Sequence, residues 1–337
     1  VDLSEHDLTG TNLSNSILWR TNLSSIDLSS TTLTNVVSRQ ANLSGSNLPD
    51  SLVNNNFNKS ELKNINFAGK DLSESSFNQV ELDGSDMQNT NLSGASFIQV
   101  DFTKIKNKSL AGSDLTTASF AHSNLSGVNL SGVVLHENNF NKTDLSGVDF
   151  TAISSASIKG TTFGQANLSN SNFEGVNLSP AQFFIQKIEN AGDQIGGAYH
   201  PLELMMTLYG RGYVEDVGYI GLNNIHIIST EQPGNDLVVK FVFFNNFYNA
   251  NLENANFQNA DLWHVGFASA NLTNADLSGA DLSKALLNNA NLSNANLQGA
   301  DLSGADLSGA DLSGADLSGA IYDQNSILKC VNHDICI

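Results

Sequence analysis

Residues 299–320 read GADLSGADLSGADLSGADLSGA, so the same five residues repeat without interruption. An α-helix needs apolar residues about every 3.6 positions, and a half-buried β-strand needs them at every second position. A period of five fits neither pattern, although it continues with substitutions over most of the chain. Some geometry other than a simple helix or sheet must therefore bury the leucines.

The central apolar residue of each five-residue unit, position i, sets the register. It falls every five residues from Leu252 to Leu317 and then at Tyr322, and position i−2 is Ala in all of these units except one, which has Val265. The register already holds at Val1-Asp2-Leu3 and slips by one near residues 48–52, and it then holds over 57–102, 110–150 and 158–183.

The phenylalanines indicate how many units make one turn. They recur at steps of twenty: Phe57, Phe77 and Phe97; Phe120 and Phe140; Phe163 and Phe183; Phe247 and Phe267. Side chains of the same shape layer well in a solenoid. Twenty residues, or four units, therefore make one turn of a four-sided tube with position i inside.

The A-(D/N)-L-x-x pattern resembles that of the pentapeptide repeat family, over residues 1–183 and 242–322. The resemblance implies an all-β solenoid, a right-handed quadrilateral β-helix with a solid core. About thirteen coils rising roughly 4.8 Å each would give a rod of about 60 Å. Glycines such as Gly304 suit the positive φ of a turn at each corner.

The pattern predicts four segments: a β-helix over 1–183, a small α+β insertion over 184–241, a β-helix over 242–323 and a C-terminal tail or cap over 324–337. In the insertion, SPAQFFIQKIENAGD and PLELMMTLYG predict helices, and IHIIST and DLVVKFVFF predict strands. It also holds Tyr199, Tyr209, Tyr213 and Tyr219. Because exposed aromatic residues mark interfaces, this segment is an interaction module or a decoration that only completes the fold.

Two stretches, 100–112 and 148–160, space successive i residues by eight and predict short loops. The first carries Lys104, Lys106 and Lys108, so it is either a docking loop for an acidic partner or an ordinary solvated loop. In the tail, Cys330 and Cys336 favour a disulfide. Free thiols remain an alternative, and a metal site with His333 lacks the four ligands that zinc prefers.

A disulfide indicates an oxidising compartment. Together with a first residue that is Val rather than Met, which suggests a processed or trimmed chain, it favours a secreted or cell-surface protein; a cytoplasmic location stays open. No apolar run is long enough to predict a membrane-spanning helix. We also find no catalytic or cofactor-binding motif, and we expect no enzyme, no metal and no cofactor.

The chain has 34 acidic and 15 basic residues and a net charge of −19, which disfavours direct binding to nucleic acid. Outward acids recur on the C-terminal repeats, where they either accept local turn hydrogen bonds or build an anionic, DNA-like rod. These acids are Asp276, Asp281, Asp301, Asp306, Asp311 and Asp316.

Three functions fit these features. The first is a structural scaffold that assembles head to tail into an oligomer or filament, because the coil at Val1 and Leu3 has an open strand edge. The second, implied by the family resemblance, is a DNA mimic that binds DNA gyrase. The third is a secreted effector that binds a host protein through the insertion, since similar Asn-rich repeats occur among bacterial effectors.

Overall fold

The computed structural model describes residues 1–153, 158, 160–179 and 245–336, and between the last two ranges the backbone of five β-strands. Parallel β-bridges join residues that lie twenty apart, such as Asp2 with Asn22 and Asn22 with Asn42. Because these ladder residues recur every five positions, one turn of the chain contributes four of them. The repeats therefore wind into a four-faced β-helix.

We call the bridged residues, which lie at position i−1, ladder residues. The four faces are numbered in the order in which the chain reaches them in the first coil. Face 1 runs from Asp2 to Val331, face 2 from Asp27 to Asp316, face 3 from Asn12 to Ile321 and face 4 from Ile17 to Ile327.

Each unit uses its backbone in the same three ways. The N–H of Leu252, at position i, donates to the C=O of Asn271 on the next coil (2.7 Å), and the N–H of Asn271 donates back to the C=O of Ala250 (2.9 Å). At the corner, the N–H of Ala255 donates to the C=O of Leu252 (3.0 Å), and Asn254 has a φ of 57°. The positive φ predicted for Gly304 is present at 68°, but Asn serves equally well at this corner position.

The core consists of stacked i side chains, with small i−2 side chains beside them. From Leu23 to Leu312 nearly all the described leucines and phenylalanines at position i are at most 3% exposed. Face 4 carries a continuous column of stacked rings, with centroids 4.7–5.4 Å apart: Phe57, Phe77, Phe97, Phe120, Phe140, Phe163, Phe247 and Phe267. The predicted partnership of Phe163 with Phe183 is wrong, because Phe163 stacks on Phe247 at 4.7 Å.

Buried hydroxyl groups replace Ala at many i−2 positions before the insertion. The Oγ of Ser75 donates to the C=O of Leu52 on the preceding coil (2.8 Å) and accepts from the N–H of Asn55 (2.9 Å). Ser123 makes the same two contacts, with Phe97 and Val100. Because these two hydroxyls are paired at both ends, they are buried without an unsatisfied polar group, whereas the hydroxyls of Thr161 and Ser171 make no such contact.

The two predicted loops and the insertion do not interrupt face 4, whose bridges run without a gap from Ile17 to Ile327. The two predicted loops each add three residues to a coil, so that Asp101 pairs with Asn124 and Asp149 with Asn172. In the first loop, Phe102–Lys104 and Lys106–Lys108 form short 3₁₀ turns. The second loop lies partly outside the described residues.

The insertion is bypassed by all four ladders. Thr162, Asn167, Asn172 and Asn177 pair with Asn246, Asn251, Asn256 and Asp261, each 84 residues further along the chain. The chain therefore leaves the solenoid at the corner after Leu178, on face 3, and re-enters it at Asn246, on face 4.

The insertion contributes five described strands: β1 (Phe183–Ile188), β2 (Tyr213–Val214), β3 (Gly218–Tyr219), β4 (Ile225–Glu231) and β5 (Leu237–Phe243). The antiparallel order is β1-β5-β4, with Phe183 opposite Val242, and β2 pairs with β3. The strands predicted as β4 and β5 are present. The helix predicted over SPAQFFIQKIENAGD is wrong at 183–188, where the chain is β1, and Phe183 belongs to this sheet rather than to the solenoid. The second predicted helix lies outside the described residues.

The repeat does not end at Tyr322. Ile327 pairs with Asp306 and Val331 with Asp311, so the tail adds most of a further coil. Asp323 and Ser326 accommodate the extra residue in this coil by accepting from the N–H of Gly304 (3.0 and 3.1 Å). Tyr322 itself is 47% exposed and does not occupy the inward site that its spacing predicts.

We expect Leu92→Asp to lower the free energy of unfolding by at least about 3 kcal/mol, because it places an unpaired carboxylate in a dry core. Leu92 is fully buried. The matched control is Asp306→Asn, whose amide oxygen can still accept from Ser308, as Asp306 does at 2.9 Å from the backbone N–H. We expect that control to change stability by less than about 0.5 kcal/mol. Denaturant unfolding of both variants is the measurement, and equal losses would contradict the inside–outside assignment.

Candidate interaction surfaces

The outward positions of a unit are the ladder residue and the second and third residues after it. On faces 1 to 3 these positions carry acids at intervals along the whole rod, for example Glu81 on face 1, Asp86 on face 2 and Asp71 on face 3. On face 4 none of them is Asp or Glu from Ile17 through Asn289, and the first acid is Asp306. The negative charge of the rod is therefore distributed over three faces and is nearly absent from the fourth.

The predicted acids of the C-terminal coils accept local turn hydrogen bonds. The Oδ1 atom of each of these acids accepts a hydrogen bond from the backbone N–H two residues further on, at 2.9–3.0 Å. The acids are Asp276, Asp281, Asp301, Asp306, Asp311 and Asp316. Hydrogen bonds from the Ser313 and Ser318 side chains hold the pKa values of Asp311 and Asp316 below the ordinary value. Asn296 separates Asp276 from Asp316 on face 2 and donates to Asp276 (3.1 Å). This supports the turn-capping interpretation and leaves the anionic-rod interpretation a hypothesis.

The lysine loop is partly neutralised. The Nζ of Lys106 lies 2.9 Å from Asp86, and that of Lys104 lies 3.7 Å from Asp101. Among the described side chains, Lys108 has no acidic partner within ion-pair distance. Its role as a docking loop stays a prediction, now with one unpaired lysine rather than three.

The first coil is the least buried part of the core. Val1 is 84% exposed, and Leu3, which lies at position i, is only half-buried. Leu8, Leu13 and Leu18 are half-buried too, whereas Leu23 on the next coil is fully buried.

A basic and aromatic cluster on face 4 was missed by the sequence analysis. Ile17 is 75% and Trp19 is 56% exposed. The Arg20 guanidinium lies over the Trp19 ring, 4.6 Å from its centroid. Gln40 Oε1 accepts from both Trp19 Nε1 (3.0 Å) and Arg20 Nε (2.9 Å). The available signal was Ile17 at a ladder position where neighbouring units have Asp or Asn.

The predicted tyrosines are only partly placed. Tyr213 lies opposite Tyr219 in the β2–β3 hairpin, whereas Tyr199 and Tyr209 lie outside the described residues. A different tyrosine, Tyr248, is 46% exposed on face 4. It lines a surface cavity of about 490 Å³ together with Asn141, Lys142, Gln165 and others. The described lining contains no carboxylate, histidine or cysteine that could start acid–base or nucleophilic chemistry.

The tail cysteines lie together at the end of the rod. The Sγ atoms of Cys330 and Cys336 are 2.07 Å apart and their Cα atoms are 4.9 Å apart. Cys330 is buried against the last coil, and Ile335 and Cys336 are half-buried there. The described part of the chain holds no group of His, Cys, Asp and Glu arranged for a metal ion. Nor does any helix in it have the length and apolar character needed to cross a membrane.

The pentapeptide repeat family model matches the chain in eight copies, over residues 1–29, 7–48, 65–103, 113–151, 154–183, 246–283 and 285–321. These ranges cover well over half of the sequence, which confirms the family resemblance. No curated protein matches the chain.

Several solved structures of pentapeptide repeat proteins are similar to parts of the chain. One from the Arabidopsis thaliana thylakoid lumen is 41% identical over 22% of this chain and 52% of its own, with a TM-score of 0.22, so the chain spans about half of its length. HetL, involved in heterocyst differentiation regulation in the cyanobacterium Nostoc sp. strain PCC 7120, is 23% identical over 99% of this chain and 94% of its own, with a TM-score of 0.21. QnrB1, a plasmid-mediated fluoroquinolone resistance protein, is 16% identical over 75% of this chain and 92% of its own, with a TM-score of 0.21. The fold described above rests on the ladders of this chain and not on these likenesses.

We expect Ser313→Ala to raise the pKa of Asp311 towards its ordinary value, because it removes the side-chain hydrogen bond that lowers that pKa most. Part of the lowering should remain, since Asn332 and the backbone N–H of residue 313 still donate. A carboxyl titration followed by NMR measures this. Ser308→Ala is the control, and it should leave the pKa of Asp311 unchanged.

We predict that Cys330 and Cys336 form an intramolecular disulfide, because their Cα separation lies within the range that disulfides span. Mass spectrometry of the unreduced C-terminal peptide should find it two hydrogens lighter than the dithiol. Recovery of both thiols as alkylated cysteines from freshly prepared native protein would reject the bond.

Proposed function

Because the chain belongs to the pentapeptide repeat family, we propose that it is a non-enzymatic scaffold that binds protein, and that one partner is a second copy of the chain joined head to tail. The rod would comprise about thirteen coils and measure about 60 Å. The absence of catalysis is proposed from the sequence, in which we find no catalytic motif, and from the cavity, whose described lining offers no catalytic group.

The observation that carries the self-association proposal is the complementary character of the two end coils. At one end, the half-buried Leu3, Leu8, Leu13 and Leu18 present apolar surface. At the other end, Leu317, Ala320 and Ile335 pack on the core and are likewise only partly buried. Joining these ends would bury apolar area on both copies.

The backbone edges also match. Inside the rod, each ladder N–H donates towards the preceding coil, as Asn22 does to Val1 (2.8 Å), and each i-position N–H donates towards the following coil, as Leu3 does to Asn22 (2.8 Å). The first coil therefore presents ladder N–H and C=O groups outward, and the last coil presents the groups that would pair with them. Such a heterologous contact repeats without closing and favours a filament.

Two further functions stay as alternatives. Acids on three faces favour an anionic rod that mimics DNA and binds a topoisomerase, and one similar structure is a fluoroquinolone resistance protein. The absence of acids from face 4 between Ile17 and Asn289 is the feature that this alternative does not explain. The cysteine pair favours a secreted or cell-surface protein, for which the insertion would be the module that binds a host protein.

The test is sedimentation velocity over a wide concentration range, with negative-stain microscopy of the same samples. We expect the untagged chain to form end-to-end assemblies. A folded protein fused at Val1 should prevent them, because it covers the exposed edge of the first coil. A protein fused through a long flexible linker to a surface loop at residues 106–108 is the control and should leave assembly intact. A monomer at every concentration, or equal assembly by the Val1 fusion, would overturn self-association through this coil.

A further inference from the structure

We propose that the basic and aromatic cluster on coils 1 to 3 of face 4 is a second docking site, which takes a carboxylate-bearing segment of a different protein. The cluster consists of Ile17, Trp19, Arg20, Val37, Arg39 and Lys59. It lies on the side of the rod, so it is separate from the end contact proposed above and does not depend on self-association.

The charges of the rod favour an acidic partner at this cluster. Arg20, Arg39 and Lys59 occupy outward positions on three successive coils of face 4, on which the first acid is Asp306. In a chain with a net charge of −19, an approaching acidic protein is repelled by the acids of the other three faces and attracted by these cations.

The charges of these three cations are not neutralised by ion pairs with described side chains. Four lysines on the other parts of the rod form ion pairs: Lys63 with Glu81, Lys70 with Asp50, Lys104 with Asp101 and Lys106 with Asp86. None of the cations of the cluster lies within ion-pair distance of an acid among the described side chains. Their charge is therefore available to a ligand.

Two side chains of the cluster, Trp19 and Arg20, are preorganised for binding. Gln40 holds Trp19 and the Nε of Arg20 with a single oxygen, and the guanidinium stacks on the indole. The terminal nitrogens of Arg20 remain for a carboxylate, which a guanidinium can bind through two hydrogen bonds. Holding the two side chains in place reduces the conformational entropy lost on binding.

The apolar residues of the cluster identify the class of ligand. Ile17, which is 75% exposed, pairs with the half-buried Val37 on the same face as Trp19 and Arg20. Trp and Arg are enriched at protein interfaces, and the exposed aliphatic side chains add apolar surface beside them. A nucleic acid would need many more cations on a face of this length. A protein segment that combines carboxylates with an apolar side chain fits both halves of the cluster.

The experiment uses a fluorescein-labelled synthetic peptide of alternating Glu and Leu as the probe, with fluorescence anisotropy at low salt. The test variant carries Arg20→Gln, Arg39→Gln and Lys59→Gln. The control carries Lys142→Gln, Lys284→Gln and Lys329→Gln, which changes the net charge equally and also replaces exposed cations without ion pairs. Gln is tolerated at corner positions with positive φ, since Gln79 and Gln99 occupy them. Unfolding curves establish that both variants are folded.

We expect the test variant to bind about tenfold more weakly or worse, the control to stay within about twofold of the unaltered chain, and the affinity to fall as salt rises. Equal losses by both variants would show an effect of net charge alone and overturn the proposal, as would no binding by the unaltered chain. Cluster-dependent binding of heparin or duplex DNA in place of the peptide would assign the site to a polyanion instead. If sedimentation shows assemblies that the test variant loses and the Val1 fusion keeps, the occupant is a second copy and the partner proposed here is wrong.

Discussion

Backbone hydrogen bonds between successive coils hold the rod together and limit where its sequence can vary. Each ladder residue donates to the coil before it and each i residue to the coil after it, as in the pairing of Leu252, Asn271 and Ala250. Inside the rod these backbone groups are thus satisfied without solvent. Additional residues can then enter only at corners, which is where the three-residue loops and the insertion lie. The stacking of Phe163 on Phe247 shows that the core continues unbroken across the insertion.

The ladder constrains the inward side chains more strictly than the outward ones. Inward, each side chain must stack on the same site of the next coil. Outward, an oxygen at the ladder position can accept the N–H two residues on, as Asn139 on face 4 and Asp281 on face 3 do (3.0 and 2.9 Å), but Ile17 and Ile321 show that the ladder forms without it. Since Asn and Asp are interchangeable for the turn, the absence of acids from face 4 before Asp306 is not a requirement of the fold. We interpret the difference in charge between the faces as a property of the surface that partners meet.

The errors of the sequence analysis share one physical cause, which is that distant pairing overrides local pattern. Ser179 and Pro180 resemble the start of a helix, but the following residues pair with Leu237–Phe243 and form β1. Phe183 keeps the five-residue spacing by coincidence, and its stacking partner lies elsewhere. In the tail, the six-residue step from Ile321 to Ile327 hides the continuing ladder, because hydrogen bonds from Gly304 to Asp323 and Ser326 absorb the extra residue.

The four-sided solenoid, its inward residues and its positive-φ corners can be predicted from the sequence, because a five-residue period with a twenty-residue recurrence of Phe leaves one way to bury both i and i−2. The residues that share a face are known only from the stacking of the coils. Bridged residues of successive coils are 20 apart over most of the rod, but they are 19 apart at the register slip, 23 apart at each loop and 84 apart at the insertion. A constant spacing of twenty residues therefore brings the wrong residues together on each face after residue 48. The absence of acids from face 4 before Asp306, and the position of Arg20, Arg39 and Lys59 on it, become apparent only when the coils are stacked in their true register.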